Sequence, residues 1–226
     1  VHMQHLRQRL EIVRQRRVAP VFRTVPGHGY RQRHIAHAWL ILVIVMSDVG
    51  EELGLFGSQY FTDHPTVPRD SIIAQLNVDM IGRGTADDVT GSTLQGEQIR
   101  GNPDYVQLIG SRRVSTQLGD WAEVENRDGN HGLKFDYALD ANGHPQNIFC
   151  RSDHYMYARY NIPIVFFTTG GHADYHQVTD EPQYLDYPHY ARVTSFIAAL
   201  GVRVANSEAR PVVDKPRTDP NGRCQQ

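Results

Sequence analysis

Cysteine is scarce in this sequence: Cys150 and Cys224 are the two in 226 residues. That is too few for a disulfide framework or a cysteine-built zinc knuckle. It leaves room for one disulfide, so the redox compartment stays open. Long apolar runs are missing too. The longest, Ala38 to Met46, stops at Ser47-Asp48, well short of the roughly 20 residues that cross a bilayer as a helix. There is no HExxH, no GxSxG and no P-loop, so the contiguous signatures of those hydrolases and nucleotide binders are excluded. Gly82-Arg83-Gly84 lacks the third glycine of a dinucleotide fingerprint. Aspartate does not occur before Asp48.

What is present suits a globular chain. Hydrophobic residues make up 40% and charged residues 21%, a balance that can bury a core. The net charge of −2 is unevenly spread. Residues 1–47 hold eight Arg, no Lys and one acid, Glu11, while residues 48–226 hold 15 Lys/Arg against 24 Asp/Glu. A basic start on an acidic body suggests an arm, or a stretch of different origin. Nucleic-acid binding is not supported, because aromatics are not interleaved with the arginines and the body is acidic.

Three zones follow. In residues 1–47, Leu6, Leu10 and Val13 predict a polar helix over Val1 to Arg17, and Ala38 to Met46 reads as a buried strand. Residues 48–206 alternate strand and helix signals, which argues for an α/β domain. Helices are expected over Glu51 to Thr62 (Leu53, Phe56 and Tyr60 on one side), Ser111 to Asn126, Ser152 to Tyr160 and Tyr190 to Ala205. Strands are expected over Ile72 to Ile81, Tyr105 to Ile109 and Pro163 to Thr168. In the last helix Val193, Phe196, Ile197, Leu200 and Val204 recur at three- and four-residue steps. Residues 207–226, with three Pro, read as an extended tail.

Four clusters could carry chemistry. Glu51-Glu52 opens an expected helix, where adjacent side chains point about 100° apart; alone, the pair suits a helix N-terminus. Asp79 follows Leu76 and Val78. It is either an exposed turn cap or a buried carboxylate needing a partner or metal. Ser152-Asp153-His154 resembles a helix start with N-cap residues. His172, Asp174, His176 and Asp180 sit in a loop after a strand, a place where α/β folds build sites. Taken together, carboxylates and a histidine with one spare carboxylate are what a hydrolytic zinc site uses.

These motifs and their order resemble metallopeptidase family 28, the co-catalytic zinc aminopeptidases. Gly50-Glu51-Glu52-Leu53-Gly54-Leu55-Phe56-Gly57-Ser58 with Tyr60-Phe61 resembles the family's Glu-Glu segment. Asn77-Val78-Asp79-Met80-Ile81-Gly82 resembles its Asp-ligand strand. Arg151-Ser152-Asp153-His154 and Gly170 to Asp180 resemble its C-terminal His-ligand segment. The resemblance spans roughly residues 50–205. It implies a mixed sheet flanked by helices and removal of N-terminal residues from peptides. Glu51 is implied as the general base, Glu52 and His176 as ligands of one zinc, and Asp79 as a ligand of the other. Asp153 and Asp180 are implied to support the site from behind. An extracytoplasmic or secreted enzyme is implied as well, although no secretory signal is legible.

The chain also departs from the family. The upstream His-x-Asp and the aspartate bridging both zincs have no counterpart, because Asp48 is the first aspartate. The early strands of the sheet are expected to be missing. Residues 1–47 are therefore expected to be of separate origin, through a shifted reading frame or misplaced start; the competing expectation is a divergent protein with a basic arm. Low or no activity is expected of the chain as written. Two other classes stay open: a single-zinc acyltransferase like the glutaminyl cyclases, and a non-catalytic binding module. Residue preference and oligomeric state are not legible.

Overall fold

The computed structural model describes residues 8–16, 39–83, 104–172, 174–217, 219 and 223–226. A six-stranded mixed sheet runs through them in the order β2-β1-β3-β6-β4-β5. The strands are β1 (Gln8–Arg16), β2 (Trp39–Ser47), β3 (Ile72–Val78), β4 (Tyr105–Ile109), β5 (Lys134–Asp136) and β6 (Ile164–Thr168). β1 is antiparallel to both β2 and β3, β3 and β6 are parallel, β6 and β4 antiparallel, and β4 and β5 parallel. The helices are α1 (Phe56–Asp63), α2 (Thr116–Asp128), α3 (His154–Ala158) and α4 (Tyr187–Ala205). The α/β class with a mixed, helix-flanked sheet is as expected. Among the described residues no helix is long and apolar enough to cross a membrane.

Alternation along the central strands makes two cores. In β6, Val165 and Phe167 join one apolar cluster, while Ile164 and Phe166 join the other, as a two-residue period requires. The first cluster is completed by Leu118 and Ala122 of α2 and by the apolar face of α4. The second is completed by Phe61 of α1, Phe149, and Tyr157 and Ala158 of α3. All five residues read as the buried face of the last helix are buried. That helix begins at Tyr187, three residues early, because Asp186 accepts from the His189 amide at 3.1 Å and caps it.

Three expectations fail. Gln8–Arg16 is a strand rather than a helix; the rest of Val1 to Arg17 lies outside the described residues. Leu10-Glu11-Ile12 also alternates, and pairing with strands on both sides outweighs a weak helical period. β2 is a strand, but its one described sheet neighbour is β1, so Val43 and Val45 are exposed while Ile44 and Met46 pack on the second core. An unbroken apolar run had read as buried on both faces. α1 starts at Phe56, not Glu51, because Gly54 and Leu55 take left-handed φ values of 119° and 62°. Consequently Leu53, Phe56 and Tyr60 face solvent. β5, with three residues, was too short to show a period.

Residues after 206 form no helix or strand among those described, yet they pack on the domain. A disulfide joins Cys224 to Cys150. The Asp214 carboxylate accepts from the Thr116 amide at 2.9 Å, at the start of α2. That bond holds the Asp214 carboxyl below its ordinary value. Asp63 is lowered too, first by the Tyr160 hydroxyl at 2.6 Å and then by Arg159. Asp140 is raised by burial. A lowered carboxyl adds stability above its unfolded pKa and loses it as pH falls through the folded one; Asp140 works in the opposite direction. With the lowered groups in the majority, the urea midpoint should hold from pH 7 to about 5 and fall below about 4. A midpoint that rises at acid pH would contradict these assignments.

Candidate active site

β3 and β6 run parallel, so their C-terminal ends lie side by side, the edge where such sheets build sites. Asp79 stands just past β3, and its amide donates to the Phe167 carbonyl at 3.2 Å. The residue is buried, at 6% exposure, which sets aside the reading as an exposed turn cap. Its Oδ2 accepts from the Ser152 hydroxyl at 3.0 Å, and Ser152 Oγ in turn accepts from Asn77 Nδ2 at 3.0 Å. Gln75 Nε2 donates to Asn77 Oδ1 at 3.3 Å. Alternate residues of one strand thus orient a carboxylate through a serine from the segment before α3. Met80, at φ 60°, turns the chain away, and the Thr169 amide and hydroxyl both donate to its carbonyl at 2.8 Å.

Glu51 and Glu52 lie in the turn between β2 and α1, so their directions are set by that turn and not by a helical 100° step. The Glu51 carbonyl accepts from the amides of Gly54 and Leu55 at 3.0 Å each. α1 closes tightly on this turn: a Cβ at Gly57 would come within 2.8 Å of the Val49 backbone. Glu52 Oε1 lies 3.4 Å from His176 Nε2, with both side chains about half exposed. His176 sits at φ 61°, and the Tyr175 ring lies 3.9 Å from its imidazole.

Asp153 occupies the N-cap position of α3 and is buried, but its side chain makes no cap bond. The neighbouring Ser152 is what reaches Asp79; a sequence reading of the pair as helix caps could not distinguish them. Asp180 lies near His172, whose side chain is 4% exposed, at 3.9 Å from its Nε2. Asp180 and Asp174 both take a hydrogen bond from Arg83. The Thr179 hydroxyl, then Arg83, holds the Asp174 carboxyl below its ordinary value. In the sequence Arg83 stands within an incomplete glycine motif, and its place as a cation beside the Asp79 motif is the available signal.

The site thus brings Glu52 and His176 together and fixes Asp79 at the adjoining strand end. Among the described residues no group of three or more His, Cys, Asp or Glu is placed to hold a metal ion. A catalytic zinc takes three protein ligands and a structural one four. The donors among the described residues therefore do not fit a complete zinc centre.

A family model described as peptidase family M28 matches residues 40–201. The chain belongs to peptidase family M28. The match begins inside β2 and ends inside α4, and it contains every residue of the site described above. No curated protein matches the sequence. Solved structures share the fold of this M28 chain at low identity. The LapA aminopeptidase of Legionella pneumophila matches with TM-score 0.56 and 18% identity, covering 75% of this chain and 40% of that one. An aminopeptidase of Aneurinibacillus sp. strain AM-1 matches with TM-score 0.51 and 18% identity, covering 78% and 37%. A zinc aminopeptidase of Bacillus subtilis matches with TM-score 0.52 and 14% identity, covering 77% and 39%. The chain therefore spans about two fifths of the length of these enzymes.

Proposed function

We propose that this M28 chain carries one part of an aminopeptidase centre acting on peptides with a free N-terminus. In this reading Glu52, His176 and Asp79 belong to a zinc ligand set that the described residues leave incomplete. Glu51 acts as general base, taking a proton from the attacking water and delivering it to the leaving amine. Asp153 and Asp180 support the site from beneath and beside it. The approach of Glu52 to His176 within 3.4 Å, from two distant family motifs, carries the reading. The family match supports the peptidase class; the zinc type and N-terminal cleavage rest on the motif resemblance. Residues 48–206 hold these motifs, with 1–47 as a basic segment whose last residues, 40–47, already fall within the family match, and 207–226 as a tail. The disulfide supports an extracytoplasmic setting, since such bonds persist in oxidising compartments.

The test pairs elemental analysis of dialysed protein with an assay on amino-acid amides. About one bound zinc or none, with little or no turnover, is expected from this chain. Where turnover is measurable, Glu51→Gln should reduce it by roughly a hundredfold or more. Two tightly bound zincs and metal-dependent turnover like that of a complete enzyme would overturn the incomplete centre. Turnover untouched by Glu51→Gln would remove Glu51 from its role.

A further inference from the structure

Arg83 lies just beyond the Asp79 turn with its side chain only 8% exposed. Its Nη2 donates to Asp174 Oδ2 at 2.7 Å and to Asp180 Oδ1 at 3.2 Å. Those two carboxylates flank His176 in the chain, so one guanidinium grips the His176 loop on both sides. Arg83 is itself held by its backbone: its carbonyl lies 3.0 Å from His189 Nδ1, at the base of α4. The preceding carbonyl, of Gly82, accepts from the Asp186 amide at 2.9 Å. The Tyr184 ring covers the guanidinium, 5.2 Å from centroid to Cζ. The anchor is thus built into the sheet end and α4, whereas the gripped loop is not part of any helix or strand.

The loop needs an anchor. His176 takes a left-handed φ of 61°, which a non-glycine residue keeps only where its surroundings over-determine it. Without the cation, Asp174 and Asp180 lose the charge that draws them together. The two carboxylates, 28% and 14% exposed, share one nitrogen, so without the guanidinium two like charges are left side by side. The loop would then relieve both strains by moving outward, carrying the imidazole away from Glu52.

We propose that Arg83 is the positioning residue of this site, pinning the Asp174-to-Asp180 loop so that His176 faces Glu52. The pinning stands independently; only the use made of His176 rests on the peptidase reading. The test uses the full chain without added metal or substrate, by amide hydrogen exchange and by NMR of protein carrying labelled histidine. In Arg83→Gln, amides of residues 174–180 should exchange at least about tenfold faster, with β3, β6 and α4 changed by less than about threefold. The cross-relaxation between the Tyr175 and His176 rings should weaken. Arg83→Lys keeps the charge without the planar fork, and its exchange should fall between wild type and Arg83→Gln. Asp174→Asn removes one of the two grips and should raise exchange in the same segment by a smaller factor. It carries the test alone if Arg83→Gln does not fold. Unchanged exchange with the ring contact kept, or an equal rise across the whole chain, overturns the proposal. A chain that hydrolyses nothing can still show the pinning, and one that hydrolyses amides can still lack it, so the two readings fail separately.

Discussion

Phe196→Ala is expected to cost about 3–5 kcal/mol and lower Tm by roughly 10 °C. Phe196 is fully buried on α4. Its ring packs against Phe167 at 5.8 Å, Phe135 at 5.2 Å and His131 at 5.5 Å, so one side chain joins β6, β5 and the segment after α2. Truncation opens a cavity at a junction of three elements, where collapse of one neighbour pulls it from another. The effect should reach the site. The Phe167 carbonyl takes the Asp79 amide, and α4 fixes Arg83 through His189. Phe56→Ala is the control: this ring is 57% exposed on α1, and its loss should change stability by less than about 1 kcal/mol. Urea denaturation of both variants decides the matter. A cost below about 1 kcal/mol for Phe196→Ala would mean that α4 does not pack as described.

Strong periods were the legible part of the fold. The face of α4 was legible from Val193 to Val204, and β4 was legible to the residue from Tyr105 to Ile109, because burial on both sides leaves a mostly apolar run, broken here only by Gln107. Gln8–Arg16 misled because a strand gripped by two neighbours can carry many polar residues, its backbone pairing being indifferent to side chains. Leu53, Phe56 and Tyr60 misled because two left-handed residues, Gly54 and Leu55, delay α1 and turn its apolar residues outward. No periodicity argument sees a φ value. The order of the site motifs was legible, as was the absence of early aspartates. The link from Ser152 to Asp79 and the grip of Arg83 on the loop were not, since both join residues far apart in the chain. Among the described residues Glu52 and His176 come within 3.4 Å, and no group of three or more His, Cys, Asp or Glu is placed to hold a metal ion.

Reduction of the Cys150–Cys224 disulfide is expected to lower Tm by roughly 5–12 °C, about 2–4 kcal/mol. The bond closes a span of 74 residues, and closing a long loop restricts the unfolded chain strongly in the chain-entropy account. The folded state adds a local reason. Both sulfurs lie on the second core, and the tail continues to Gln226, whose Oε1 accepts from the Phe149 amide at 3.0 Å. Asp219 accepts from the Tyr155 hydroxyl at 3.1 Å, so the tail also braces α3. Cys150 is two residues before Ser152, which orients Asp79. Loosening the tail should therefore free the Ser152 segment before the sheet melts, and amides near Phe149 and Tyr155 should exchange first. The measurement is Tm with and without reductant, alongside the Cys150→Ser/Cys224→Ser double variant in place of chemical reduction. An unchanged Tm in both would show that the tail contributes nothing to the domain. A fall only with reductant would point to reductant chemistry elsewhere. A fall in both ties the stability of the Asp79 platform to an oxidising setting.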